Sequence, residues 1–294
     1  MNKKVCIVAL IGRPNTGKST LMNHLISYEL AIVSKHAQTT RDDIKGFYND
    51  DEYQIIFIDT PGIHKGESLL SKRLNKRAQD ALKDVDLVLF LSPANEVVGK
   101  GDEFIIKTIE DAGVKNKLAI ISKVDLVDDK TKLDKKAGYL KKMGFASVFG
   151  VGKGHDQSYR DLLEIIKTYA KEDEAMYPED YISDVSMRFI AKEIIRESAI
   201  KRLFQELPHS IAVEITDFIE RDKSPYIING TIYVKKESQK GILIGHNASM
   251  IKEISVEARK KMQQIFDHSV FLKVNVKISN NWVNDEKEIK KLGY

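Results

Sequence analysis

The chain has 294 residues, a formal net charge of +4 at pH 7, 42% apolar and 31% charged side chains, and a single cysteine. That length accommodates two domains with a sizeable core, and the composition excludes a disordered or collagen-like chain. One cysteine excludes an internal disulfide framework and a thiolate metal site and fits a reducing cytoplasm, with Cys6 a small core residue.

The N-terminal Met-Asn-Lys-Lys and the apolar run 5–11 look superficially like a signal peptide. The run is too short, lacks a small-residue cleavage site and leads into a glycine-bearing loop, so it predicts a strand over residues 4–11. No apolar run reaches transmembrane length. Next stands Gly12-Arg13-Pro14-Asn15-Thr16-Gly17-Lys18-Ser19-Thr20, the pattern G-x-x-x-x-G-K-[ST], followed by a predicted helix over 18–26. A short loop between a strand and a helix N-terminus points backbone N–H groups at one spot and adds the helix dipole, which makes a phosphate cradle. Gly12 and Gly17 allow the tight turn, Lys18 reaches the outer phosphates, and Ser19 offers a hydroxyl to Mg²⁺.

Further strands are predicted over 43–48, 53–59, 86–91, 118–122 and 147–151, and helices over 69–83, 102–112, 130–142 and 158–170. Alternating strands and helices imply an α/β fold, a doubly wound and mainly parallel sheet with ligands at the carboxyl ends of its strands. Asp59-Thr60-Pro61-Gly62 closes the run 55–58. A carboxylate there can hold Mg²⁺ opposite Ser19, and Gly62 can present its N–H to a terminal phosphate. Ser122-Lys123-Val124-Asp125 closes the run 118–121. An aspartate in that place accepts two hydrogen bonds from the N1 and N2 edge of guanine, which adenine cannot supply, while Lys123 lies along the base.

With a guanine site assembled, the chain resembles the Era family of Ras-like P-loop GTPases. Gln38-Thr39-Thr40-Arg41 looks like the family's first switch motif, and the resemblance makes Thr40 a ligand of Mg²⁺ and the terminal phosphate. Two departures stand at the base end. Ser122 replaces the family's asparagine, which ties the base loop to the phosphate loop, so Ser122→Asn is expected to tighten GDP binding. The guanine loop, usually Ser-Ala, aligns with Gly150-Val151, whose Val151 N–H would meet the guanine O6. For hydrolysis, Ile63 stands where many Ras-like proteins carry a water-polarising glutamine. Two alternatives stay open: slow intrinsic turnover, or a K⁺ ion held by Asn15 that supplies positive charge. The catalytic set implied is thus Lys18, Thr40, Gly62 and Asn15. His64 is read as a solvated histidine of a mobile loop.

The second half is the basic one. Residues 1–180 hold 28 Lys and Arg against 28 Asp and Glu, whereas residues 181–294 hold 19 against 15. A basic module joined to a neutral one suits a polyanionic partner. Residues 1–172 form the expected GTPase domain, the acidic stretch 173–184 a linker, and 185–294 a second domain. There a helix over 187–204, strands over 210–219 and 226–235, a helix over 249–266 and a strand over 270–278 are predicted. This order resembles a smaller α+β domain, the type II KH domain, which clamps single-stranded nucleic acid at a Gly-x-x-Gly loop. Here that loop is Gly245-His246-Asn247-Ala248, with alanine where the family expects glycine. Lys240, Gly241, Ile242, Ile244 and Lys252 complete the expected RNA surface.

The resemblance implies a GTP-hydrolysing switch of the cytoplasm. It would bind the single-stranded 3′ end of small-subunit (16S) ribosomal RNA and assist assembly of the small ribosomal subunit. Mg²⁺ and GTP or GDP are the implied ligands. A monomer is expected, and the basic half permits peripheral contact with the inner membrane face. The alternative is an RNA-binding assembly factor whose guanine site has lost turnover.

Overall fold

In the computed structural model, residues 2–28, 41, 43–64, 66–202 and 211–294 are described. Thr39 and Thr40, and the expected helix end and strand start within 203–210, lie outside them. The chain divides into two compact units, the second carried by Val185–Tyr294.

The first unit is built on β1 (Asn2–Gly12), β2 (Ile44–Asn49), β3 (Tyr53–Asp59), β4 (Leu87–Pro93), β5 (Lys117–Ser122) and β6 (Val148–Gly150), in the order β2-β3-β1-β4-β5-β6. All neighbours are parallel except β2, which runs antiparallel to β3. Helices α1 (Lys18–Leu25), α2 (Leu69–Asp80), α3 (Lys100–Asp111), α4 (Lys130–Lys142) and α5 (Asp156–Lys167) alternate with the strands. Val8, Ala9, Leu10 and Ile11 are all without exposure, because a central parallel strand is covered on both faces. Ala9 and Ile11 pack with Phe90, Ile106, Leu140 and Phe145 in one core. Cys6 is buried in β1, and burial pushes its thiol pKa up to about 12, which keeps it protonated.

The acidic stretch 173–184 is not a free linker. Lys171–Glu174 forms β7, antiparallel to the first residues of β1. The chain then meets the Gln54 side chain of β3 and runs along the outer edge of β2. Gln54, fully buried, donates Nε2–H to the Tyr177 carbonyl at 2.9 Å and accepts from the N–H groups of Met176 at 2.7 Å and Tyr177 at 3.1 Å. Phe47 stacks on Tyr177 with ring centroids 4.1 Å apart. Phe47 N–H donates to the Ile182 carbonyl, and Ser183 Oγ–H donates to the Lys45 carbonyl. Composition signals a linker because the side chains of β7 are exposed and polar; its backbone bonds carry no compositional mark.

The second unit holds α6 (Met187–Arg202), β8 (Ala212–Ile219), β9 (Tyr226–Val234), α7 (Glu237–Ile244), α8 (Ser249–Phe266), β10 (Val270–Ile278) and α9 (Glu286–Lys291). Its sheet has the order β10-β9-β8, with β8 antiparallel and β10 parallel to β9. Ile195, Ile228, Ile232, Ile254 and Ala258 share one core beneath α6 and α8. The expected amphipathic α6 is buried on every side from Ala191 to Ile200. Its charged residues are paired: Arg196 with Glu193, Glu197 with Lys201 and Lys261, and Lys192 Nζ with the Leu292 carbonyl. Pairing is what makes burial of such groups tolerable.

Replacing Gln54 by Ala leaves the Met176 and Tyr177 amides without their side-chain partner. Unfolding in urea is expected to show a loss of about 1–3 kcal/mol.

Candidate nucleotide site and nucleic-acid surface

The carboxyl ends of β1, β3 and β5 bring the three sequence motifs together. The phosphate loop leaves β1 at Gly12 and enters α1 at Lys18. Lys18 is buried, and its Nζ donates to the carbonyls of Gly12 at 3.4 Å and Arg13 at 3.1 Å. Burial lowers its pKa to about 8, with Asp59 opposing the shift. Ser19 Oγ–H donates to Asp59 Oδ2 at 2.5 Å. A hydroxyl and a buried carboxylate oxygen side by side are hard donors that suit Mg²⁺, which takes few protein ligands and keeps its waters. Thr20 follows on α1, half-buried.

The loop after β3 packs against the phosphate loop backbone to backbone. A Cβ on Gly62 would fall 2.5 Å from the Pro14 nitrogen, so only glycine fits. Pro61 is buried, and Thr60 spends its hydroxyl on the Leu10 carbonyl at 2.8 Å. Thr60 thereby holds the loop to β1. Ile63 is buried in the core, and its N–H donates to the Gly12 carbonyl. His64 is not a solvated residue. It is half-buried, its N–H and carbonyl both bonded to the Asn75 side chain of α2.

At the base end, Ser122 Oγ–H donates to the Thr16 carbonyl at 2.5 Å, so the serine keeps a tie between base loop and phosphate loop. Lys123 takes a left-handed backbone (φ 57°), and its Nζ donates to the Asn15 carbonyl at 2.7 Å. Asn15 is itself left-handed at φ 62°. The guanine loop needs correction. Val151 N–H donates to the Ile121 carbonyl at 2.9 Å as the sheet ends, so it is not presented to a base. Gly150 lies within β6. The N–H that meets Asp125 belongs to Lys153, bonded to Oδ1 at 2.8 Å. A Cβ on Gly152 would lie 2.6 Å from the same oxygen. Gly152 and Lys153 are thus the residues set against Asp125, while the expected donor Val151 spends its N–H at the end of the sheet.

In the second unit, α7 ends at Ile244 and α8 begins at Ser249. Gly245 turns at φ 74°, Asn247 at φ 50° and Ala248 at φ 60°. Ala248 thus occupies a backbone region that favours glycine. His246, Asn247 and Ala248 are exposed, as are Gly241 and Lys252. Ile242 is 50% exposed, whereas Ile244 is half-buried and Leu243 faces the core. Lys240 is half-buried, 3.7 Å from Glu237.

A P-loop joined to a Ser-Lys-Val-Asp strand end on a doubly wound sheet, followed by an α-β-β-α-α-β unit, defines a GTPase with an appended KH domain. Residues 7–123 match the 50S ribosome-binding GTPase family, and residues 206–283 match the KH domain family. The chain is 55% identical to the GTPase Era of Mycoplasmopsis agalactiae over 99% of both chains. It is 50% identical to that of Mycoplasmopsis pulmonis over 98% of this chain and 99% of the relative. Two solved structures superpose with a TM-score of 0.94 over 99% of both chains. One is Era with MgGDPNP and nucleotides 1506–1542 of 16S ribosomal RNA (33% identity), the other a point variant of Aquifex aeolicus Era bound to GDP·AlF4⁻ (32% identity). The chain belongs to the Era GTPase family.

Anionic phosphates favour charged Lys18, so its pKa rises when a nucleotide binds. GDP affinity is expected to hold below pH 8 and fall above it. Calorimetry about half a unit above that pKa, in buffers of different ionisation enthalpy, should register proton uptake on binding.

Proposed function

We propose that this protein is a GTP-hydrolysing switch that binds the single-stranded 3′ end of 16S ribosomal RNA and assists assembly of the small ribosomal subunit. The observation that carries the reading is buried Lys18 resting on the Gly12 and Arg13 carbonyls beside the Ser19–Asp59 pair. The solved relative holding both MgGDPNP and a 16S segment supports the RNA half.

Lys18 neutralises the outer phosphates, and the loop N–H groups orient them. Ser19 and Asp59, joined by Thr40, would hold Mg²⁺, which supplies charge stabilisation on the phosphate oxygens. Gly62 lends its N–H to the terminal phosphate. Asp125 reads the guanine N1 and N2 edge, and the Gly152-Lys153 stretch set against it lines the base. Ile63, in the core, offers no group to polarise water, so intrinsic turnover is slow, and K⁺ at Asn15 is our reading for added charge stabilisation. His246, Asn247 and Lys252 contact the RNA backbone, and Ile242 lies under a base. A ribosomal RNA target supports a cytoplasmic location. The basic second half also fits peripheral contact with anionic lipid.

Titrating GDP and GTP with and without a short single-stranded RNA tests the whole reading. Nucleotide and RNA are expected to change each other's affinity by the same factor. Absence of guanine-nucleotide binding, or of RNA binding at low salt, would reject it. Replacing K⁺ by Na⁺ is expected to slow GTP turnover.

Ala248→Gly relieves about 1 kcal/mol of backbone strain. Fluorescence titration is expected to show tighter RNA binding by this variant.

A further inference from the structure

Arg13 is the second residue of the phosphate loop, at a position where the motif admits any side chain. Its guanidinium is committed to the start of α3. Nε–H donates to Asp102 Oδ1 at 2.9 Å, and Nη2–H donates to Glu96 Oε2 at 2.7 Å. Asp102 is without exposure, and its other oxygen accepts Gly99 N–H at 3.1 Å. A buried carboxylate of this kind depends on a charged partner. Space for that partner is reserved: a Cβ on Gly101 would fall 2.9 Å from Arg13 Cδ. The Glu96 end is also held, because its carbonyl accepts Lys136 Nζ at 2.7 Å.

The backbone of Arg13 is gripped as well. Its carbonyl accepts Thr16 Oγ1–H at 2.9 Å and Lys18 Nζ at 3.1 Å. One residue therefore links the first turn of α3 to the lysine that meets the phosphates.

We propose that Arg13 is a positioning residue for the nucleotide: its ion pair with Asp102 fixes the carbonyl on which Lys18 rests and so keeps the phosphate loop preformed. A preformed loop loses less freedom when ligand arrives, so the pair acts on affinity without touching the phosphates. The inference rests on the guanine-nucleotide reading of the site.

The test uses the full chain with MgGDP. Dissociation rates are measured for wild type, Arg13→Ala, Arg13→Lys, Asp102→Asn and the Arg13→Ala/Asp102→Asn double variant, beside thermal melts of each without nucleotide. Arg13→Ala is expected to release GDP about tenfold faster, the scale of one charge-assisted hydrogen bond. Asp102→Asn is expected to do much the same, and the double variant no worse than either, because one interaction is being removed twice. Lysine at position 13 restores part of the effect, since it keeps the charge and loses the fork. A general loss of folding would lower the melts in step with release, with no partial rescue by lysine. Unchanged release rates or additive single effects would overturn the proposal. Failure of wild type to bind GDP would overturn the guanine site itself, a separate result.

Discussion

The first unit depends on holding an ammonium group inside the protein before any phosphate arrives. Lys18 sits where burial opposes its charge, and it is tolerated because two loop carbonyls accept its protons and Asp59 stands near. Every neighbouring choice serves that arrangement. β1 delivers the carbonyls at the end of a strand buried on both faces. β3 delivers the carboxylate, already bonded to Ser19. Gly62 allows the next loop to close against Pro14. The same arrangement explains why the site stands at the carboxyl edge of the sheet, where three strand ends converge.

The base end is fastened to the phosphate end rather than merely adjacent to it. Ser122 reaches the Thr16 carbonyl and Lys123 reaches the Asn15 carbonyl, two tethers from one loop to the other. The short serine still spans the gap, its hydroxyl reaching the Thr16 carbonyl at 2.5 Å. What serine gives up, relative to asparagine, is reach toward the guanine loop. That loop is instead held through Asp125 and the Lys153 amide.

Most of this is legible in the sequence where spacing and strand ends coincide. The loop 12–20, Asp59 and Asp125 announce themselves because phosphate and guanine demand fixed residue types at strand termini. The α7–α8 loop is legible too, with its alanine, but not that Ala248 adopts the left-handed region. At the guanine loop, Gly150, Gly152 and Gly154 recur at even spacing, and the spacing does not tell that Val151 spends its N–H on Ile121 while Lys153 N–H meets Asp125. The segment 173–184 reads as a spacer because main-chain pairing leaves acidic side chains in solvent. Thr60, Ile63 and His64, in or beside a nucleotide motif, also take part in packing and loop closure, which only their hydrogen-bond partners reveal.

The run of chain along β2 has a further consequence. A sheet edge of unpaired amides and carbonyls invites another molecule to add a strand. Here the edge is covered by the protein's own residues: Phe47 N–H is taken by Ile182, Gly46 bridges Ser183, and Ser183 occupies the Lys45 carbonyl. At the opposite margin β6 is only three residues long, too short to template much pairing. In the second unit, the nine-residue margin strand β10 places Lys273 and Lys277 among its exposed positions, charges that discourage stacking by a neighbour. The acidic stretch that reads as a spacer thus also occupies edge groups that would otherwise be open to another strand.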